Sequence, residues 1–166
     1  MGRLSILAEG LASHVVTEAY PKAPAEVPEG FRGRPRIDGG RCVGCGACAN
    51  ACPPNAISVR DEGGFRVVKL FLGRCIFCGR CADVCPKEAV VITREFELAS
   101  LSREDLSQEV RLALARCAVC GRPYATLREV RDVASKLPEG LRPLAYLCPD
   151  CREALAGKYV VIGRGL

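Results

Sequence analysis

The sequence predicts a small α+β protein whose core is written twice and organised by metal ligands, and three observations predict it. Cys-x2-Cys-x2-Cys-x3-Cys-Pro occurs at Cys42, Cys45, Cys48 and Cys52-Pro53, and again at Cys75, Cys78, Cys81 and Cys85-Pro86. At a constant offset of 33 residues the match extends to Val43 and Ile76, Gly46 and Gly79, Ala49 and Ala82, and Ala56-Ile57 and Ala89-Val90, which implies a duplicated half-unit with pseudo-twofold symmetry. Between the runs, Ile57-Ser58-Val59-Arg60 and Phe65-Arg66-Val67-Val68-Lys69-Leu70 flank Asp61-Glu62-Gly63-Gly64, the pattern of two strands joined by a hairpin turn.

One four-cysteine run read alone fits a zinc site or a disulfide framework. Two copies, each closing on Cys-Pro, carry the bacterial-type two-cluster iron–sulfur signature instead. The fourth cysteine of such a run ligates the other half's cluster. Cys42, Cys45, Cys48 and Cys85 are therefore expected to hold one [4Fe–4S] centre, and Cys75, Cys78, Cys81 and Cys52 the other. Three closely spaced thiolates around one cube face demand tight turns, which Gly44, Gly46 and Gly79 permit by lacking a Cβ. Val43, Ile57, Ile76, Phe77, Val90 and Ile92 are the expected apolar shell, a lever on reduction potential as well as a core. The predicted body is a bacterial-type two-cluster ferredoxin fold, with Val90-Val91-Ile92-Thr93 as the matching strand of the second half.

Taken from the start, Leu4, Leu7, Leu11 and Val15 recur at helical spacing between Arg3 and Ala19, predicting an amphipathic helix. It is too short and polar to span a bilayer, and it lacks the basic start and cleavage site of a signal peptide. Its apolar stripe needs a partner: the chain's own body, the membrane interface or, as favoured here, another subunit. The single histidine, His14, is expected to be an ordinary helix-face residue. Tyr20 to Gly30, with three prolines, reads as an extended arm. Arg32, Arg34, Arg36 and Arg41 follow in a loop, available to anionic centres or to an acidic partner, or simply solvated.

Beyond the second run, Ser102 with Asp105, flanked by Leu101 and Leu106, resembles a capped helix start with its hydrophobic staple, predicting a helix to about Arg116. Thr126 with Glu129 opens a second helix whose stripe is Leu127, Val130, Val133 and Leu137, ending before Pro138. That helix is bracketed by Cys117-x2-Cys120 and Cys148-x2-Cys151. Two paired hooks with no histidine or carboxylate to leave a position open predict a closed tetrahedral site, a structural Zn2+. A mononuclear iron uses the same ligands. The tail is expected to be helical and pinned by this metal, whose role is structural rather than electron transfer. The residues after Tyr159 are apolar and carry no signal.

The composition agrees with a metal-built core. Aromatic residues make up 5% of the chain, Trp is absent, and there are twelve cysteines; without a secretory signal, they imply a reducing compartment and metal ligation. The formal charge of +5 counts every cysteine as neutral. Three four-thiolate sites at roughly −2 each bring the loaded chain to about −1. Neither that balance nor the hooks show the basic, aromatic-interleaved surface of a nucleic-acid binder. Arg outnumbers Lys, and Asn50, Asn55 and Gln108 are the only side-chain amides, a bias compatible with a thermophile or a GC-rich genome.

The residues Tyr20-Pro21, Phe31-Arg32-Gly33, Cys42-Val43-Gly44-Cys45-Gly46-Ala47-Cys48, Leu72-Gly73-Arg74-Cys75-Ile76-Phe77-Cys78 and Phe96-Glu97-Leu98-Ala99 carry a resemblance. The chain resembles the two-cluster iron–sulfur subunit of formate hydrogenlyase and hydrogenase-4 type complexes, related to the ferredoxin-like subunit of respiratory complex I. The paired-hook tail looks like the hydrogenase branch. The resemblance implies an electron-relay subunit of a membrane-bound [NiFe]-hydrogenase complex, between an electron-donor module and a small-subunit-like cluster protein. The alternatives are a complex I-like quinone oxidoreductase subunit and a free, diffusible ferredoxin, which would need little beyond residues 37 to 93.

The expected organisation is therefore a docking helix and arm over 1–30, the two-cluster domain over 31–100 and the tail over 101–166. No side chain is a credible catalytic acid, base or nucleophile. The chain is expected in the cytoplasm, held at the inner face of the membrane through its partners, without a transmembrane segment of its own.

Overall fold

Residues 3–12 and 20–163 are described by the computed structural model, and the chain divides into two units, Met1–Phe31 and Arg32–Leu166. In the first unit, helix α1 spans Arg3–Ala12, with Ile6, Leu7 and Leu11 exposed. The rest of the expected helix, His14 and Val15 included, lies outside the described residues. From Tyr20 the arm runs through turns and extended backbone, closing with a hydrogen bond from Phe31 N to Pro28 O.

In the second unit, the duplicated halves build the core. Strand β1 (Pro35–Ile37) precedes the first cysteine run, and the one-turn helix α2 (Ala47–Asn50) lies within it. The hairpin β2 (Ile57–Glu62) and β3 (Phe65–Phe71) connects to the second run, with its own one-turn helix α3 (Arg80–Asp83) and strand β4 (Val90–Ile92). The hairpin turns on Gly63 and Gly64, both at positive φ, the backbone that a two-residue turn between twisted strands requires. β1 pairs with β4, Ile37 opposite Val90. β1 was not foreseen, because its three residues lie in the arginine-rich stretch read as a loop.

The predicted helix from Ser102 to about Arg116 is a strand, β5 (Ser107–Arg116). Only a short 3-10 turn, Glu104–Leu106, forms near its expected start. Ser102 Oγ accepts from Glu104 N at 3.2 Å and Ser100 Oγ bonds Asp105, so the polar cluster caps a turn; Leu101 is fully exposed and staples nothing. The competing signal was two-residue alternation: Val110 and Leu112 are buried while Glu109, Arg111 and Ala113 face out. The open edge of β3 offers seven register partners, from Phe65 opposite Ala113 to Phe71 opposite Ser107. Long-range ladder bonds and the burial of one face outweigh local helix propensity.

β5 then pairs with β6 (Pro123–Thr126) across a register shift at Ala115/Arg116, giving a sheet in the order β2-β3-β5-β6. The core beneath is Ile57, Val68, Leu70, Val90, Val110 and Leu112, together with Cys42 and Cys81. Gln108 ties the two sheets: its Oε1 accepts from Ile37 N at 2.9 Å and its Nε2 donates to Ile37 O at 2.7 Å.

The second expected helix appears as α4 (Leu127–Lys136). Thr126 caps it, accepting from Glu129 N at 3.1 Å, and it closes at Leu137 ahead of Pro138, as the capping pattern predicts. A 3-10 stretch, Glu139–Tyr146, leads to α5 (Pro149–Gly163). Among the described residues no helix is long and apolar enough to cross a membrane.

Candidate metal centres

Gly46 and Gly79, 33 residues apart, take φ of +79° and +80° and start α2 and α3. The left-handed turn reverses the chain within each run, which is how the first three cysteines of a run come to surround one space. Positions 55 and 88, occupied by Asn55 and Glu88, form a second matched pair at positive φ, 51° and 48°. The duplication seen in sequence is thus a duplication of backbone conformation.

The structure places Cys42, Cys45, Cys48 and Cys85 around one cavity, with Val43, Val90 and Lys87 also in its wall. Cys52, Cys75, Cys78 and Cys81 surround a second cavity, lined by Ile57, Ile76, Phe77 and Ile92. Each cavity takes three cysteines from one run and the last cysteine from the other. The six apolar shell residues named from the sequence divide between the two.

Backbone amides reach the sulfurs in a matched pair: Ala56 N donates to Cys52 Sγ and Ala89 N to Cys85 Sγ, both at 3.2 Å. Phe77 N donates to Cys75 Sγ at 3.4 Å. Burial pushes the Cys48 and Cys81 thiols up to about 11 and raises those of Cys42 and Cys75. Such sites favour neutral thiols until cations arrive, and loading them releases protons. Apolar, thiol-walled cavities with amides aimed at sulfur fit iron–sulfur clusters.

In the tail, the sulfur atoms of Cys117, Cys120, Cys148 and Cys151 all lie within 4.8 Å of one another, and Cys120 and Cys148 are 3.7 Å apart. Sulfurs about 2.3 Å from a tetrahedral ion sit about 3.8 Å apart, so the quartet is nearly preset for one ion. The first hook is a tight turn in which Gly121 N donates to Cys117 O at 2.9 Å. Here amides, not burial, dominate. Hydrogen bonds from the Cys120 and Cys148 backbone pull Cys117 down to about 6, and the Arg122 backbone and side chain lower Cys120. Its bond to the Cys148 side chain pushes Cys151 up to about 12.

Of the basic loop, Arg34 pairs with Glu95, Arg41 reaches Asp38 at 3.7 Å, and Arg32 Nη1 donates to Cys78 O at 3.4 Å. Sequence reasoning missed three residues around the first cavity. Lys87 pairs with Asp132 of α4. Thr126 Oγ1 donates to Val43 O, and Arg128 donates to the carbonyls of Gly39, Gly40 and Cys42. Only Lys87 carried a local signal, its place two residues after Cys85.

Residues 41–89 match the family model of the 4Fe–4S dicluster domain. The chain is 43% identical over 44 residues to F(420)H(2) dehydrogenase subunit I of Methanosarcina mazei, covering 26% of this chain and 25% of that protein. It is 42% identical over 55 residues to NADH-quinone oxidoreductase subunit I 2 of Solibacter usitatus, covering 30% of this chain and 36% of that one. A much longer match, 42% identical over 146 residues, joins it to formate hydrogenlyase subunit 6 of Escherichia coli, covering 82% of this chain and 81% of that protein. Since this match takes in both cysteine runs and most of the chain around them, the protein belongs to the family of formate hydrogenlyase subunit 6.

Proposed function

We propose that this chain is an electron-relay subunit of a membrane-associated hydrogenase-type complex, with no catalytic centre of its own. The observation that carries the reading is the interleaved arrangement of eight cysteines around two cavities, in a member of this family. Cys42, Cys45, Cys48 and Cys85 hold one [4Fe–4S] cluster, and Cys75, Cys78, Cys81 and Cys52 the other; bound there, the clusters supply one-electron transfer.

The chain's own residues set the environment of that transfer. The Ala56 and Ala89 amides stabilise negative charge on Cys52 and Cys85, and the apolar walls lower the local polarity around the clusters. Because each cavity draws a ligand from the other run, the two sites are held at a fixed separation by the backbone itself. Cys117, Cys120, Cys148 and Cys151 hold a mononuclear ion, Zn2+, that pins the tail. The 1–30 segment and the tail flank the two-cluster body as docking devices for a small-subunit-like cluster protein and an electron-donor module, at the cytoplasmic face of the membrane.

Anaerobic purification from the native host tests the reading. Metal and sulfide analysis should return about eight iron and eight sulfide per chain, with one zinc, in a complex that also contains a hydrogenase-type catalytic subunit. Half the iron, or a chain recovered alone, overturns it.

A further inference from the structure

The 33-residue repeat allows the two cavities to be compared position by position, and they are not covered alike. Gly44 and Phe77 occupy the same place in their loops, both with left-handed backbone, at φ of +77° and +55°. At Gly44 the missing Cβ is replaced by the tail: a methyl there would stand 2.8 Å from Thr126 Cγ2 and 2.9 Å from Leu112 Cδ1. At Phe77 a full side chain is kept. The preceding residue differs in the same sense, since Val43 is half-buried whereas Ile76 is 60% exposed.

The tail's polar contacts fall on one cavity as well. Thr126, fully buried, donates to Val43 O. Arg128 Nη1 reaches Gly39 O, Gly40 O at 3.0 Å and Cys42 O at 3.1 Å. Asp132 pairs with Lys87 beside Cys85. Every one of these contacts meets a segment that carries a ligand of the first cavity. The second loop's described side-chain bond comes from Arg32, outside the tail, at a long 3.4 Å.

The charges near the first cavity differ in how far they are neutralised. Lys87 is paired with Asp132. Arg66, which reaches Gly44 O at 3.3 Å, is held by both oxygens of Asp61 and approached by Glu129. Arg128, although exposed to solvent, bonds only neutral carbonyls in these contacts, so its positive charge stays beside the loop. We propose that the metal-pinned tail is a clamp on the first cluster site alone, and that Arg128 is a positioning residue that raises that cluster's reduction potential. The inference rests on the two-cluster reading above. Reduction adds one electron to an anionic site, and a fixed cation nearby favours the reduced form.

The test is a dithionite titration of the anaerobic full chain followed by EPR, with Cys45→Ser and Cys78→Ser assigning each signal to its cavity. Arg128→Met keeps the apolar stem and removes the charge. It should move the first signal's midpoint to more negative potential and leave the second in place, with iron and zinc contents unchanged. Arg128→Lys, which keeps the charge, should hold the first midpoint close to its wild-type value. Unmoved midpoints, or two that move together, overturn the inference.

A second measurement leaves the sequence untouched: stripping the tail ion from the wild-type chain with a chelator should speed loss of the first signal in air and spare the second. Equal loss of both overturns the clamp. If untreated wild-type protein holds about four irons rather than eight, the two-cluster reading fails, and this inference with it.

Discussion

Gly44→Ala probes the contact on which the coupling of tail and cluster loop depends, and Gly46→Ala is its internal control. Both residues have nearly the same left-handed φ, +77° and +79°, so an added Cβ strains the backbone equally, by about 1–2 kcal/mol. They differ in surroundings. The Gly46 methyl meets nothing within 4 Å, while the Gly44 methyl meets Thr126 and Leu112 below 3.0 Å and Arg66 Cδ at 3.2 Å. Thr126 and Leu112 are buried on neighbouring strands, so neither can step aside freely, and overpacking adds about 1–3 kcal/mol. For a chain of this length each kcal/mol moves the melting temperature by about 2–4 °C. Gly44→Ala should therefore melt about 2–12 °C below Gly46→Ala in anaerobic thermal scans followed by circular dichroism. Equal melting temperatures would refute the packing of β5 and β6 onto the first cysteine loop.

Three further outcomes are expected. Thr126→Val removes the cap of α4, at about 1–2 kcal/mol, and leaves Val43 O without its donor, at about 1–3 kcal/mol; a loss below about 1 kcal/mol in denaturant melts would show that neither bond matters. Cys148→Ser should expose the segment from Cys117 to Cys151 to limited proteolysis and abolish zinc binding, and a proteolysis pattern like wild type counts against a pinned tail. Cluster reconstitution should depend on pH because the Cys48 and Cys81 thiols, raised to about 11 by burial, hold their protons at neutral pH. A raised thiol stabilises the metal-free fold fully below its ordinary value of 9.0, and that contribution is lost as pH rises toward 11. Iron uptake, which must displace those protons, is correspondingly favoured as pH rises from 7 to 9. Iron incorporation that is flat or falling over that range contradicts the burial argument.

The cysteine spacings by themselves determined most of the candidate sites. Runs of three thiols two residues apart, with Gly46 and Gly79 to turn the chain, close on themselves through local geometry, and local geometry is legible in order of residues. The Gly63-Gly64 hairpin and the Thr126 cap of α4 were legible for the same reason: each depends on residues within four positions. What was not legible is where segments far apart in sequence meet. β5 reads locally as a capped helix start, and only the open edge of β3 makes it a strand, since ladder bonds to a partner some forty residues away have no signature in the segment itself. The same pairing carries Leu112, Thr126 and Arg128 onto the first cysteine loop and leaves Ile76 of the second exposed. The sequence therefore determines two equivalent sites, whereas the tertiary fold makes them inequivalent, because a single tail can pack against only one face of a twofold repeat.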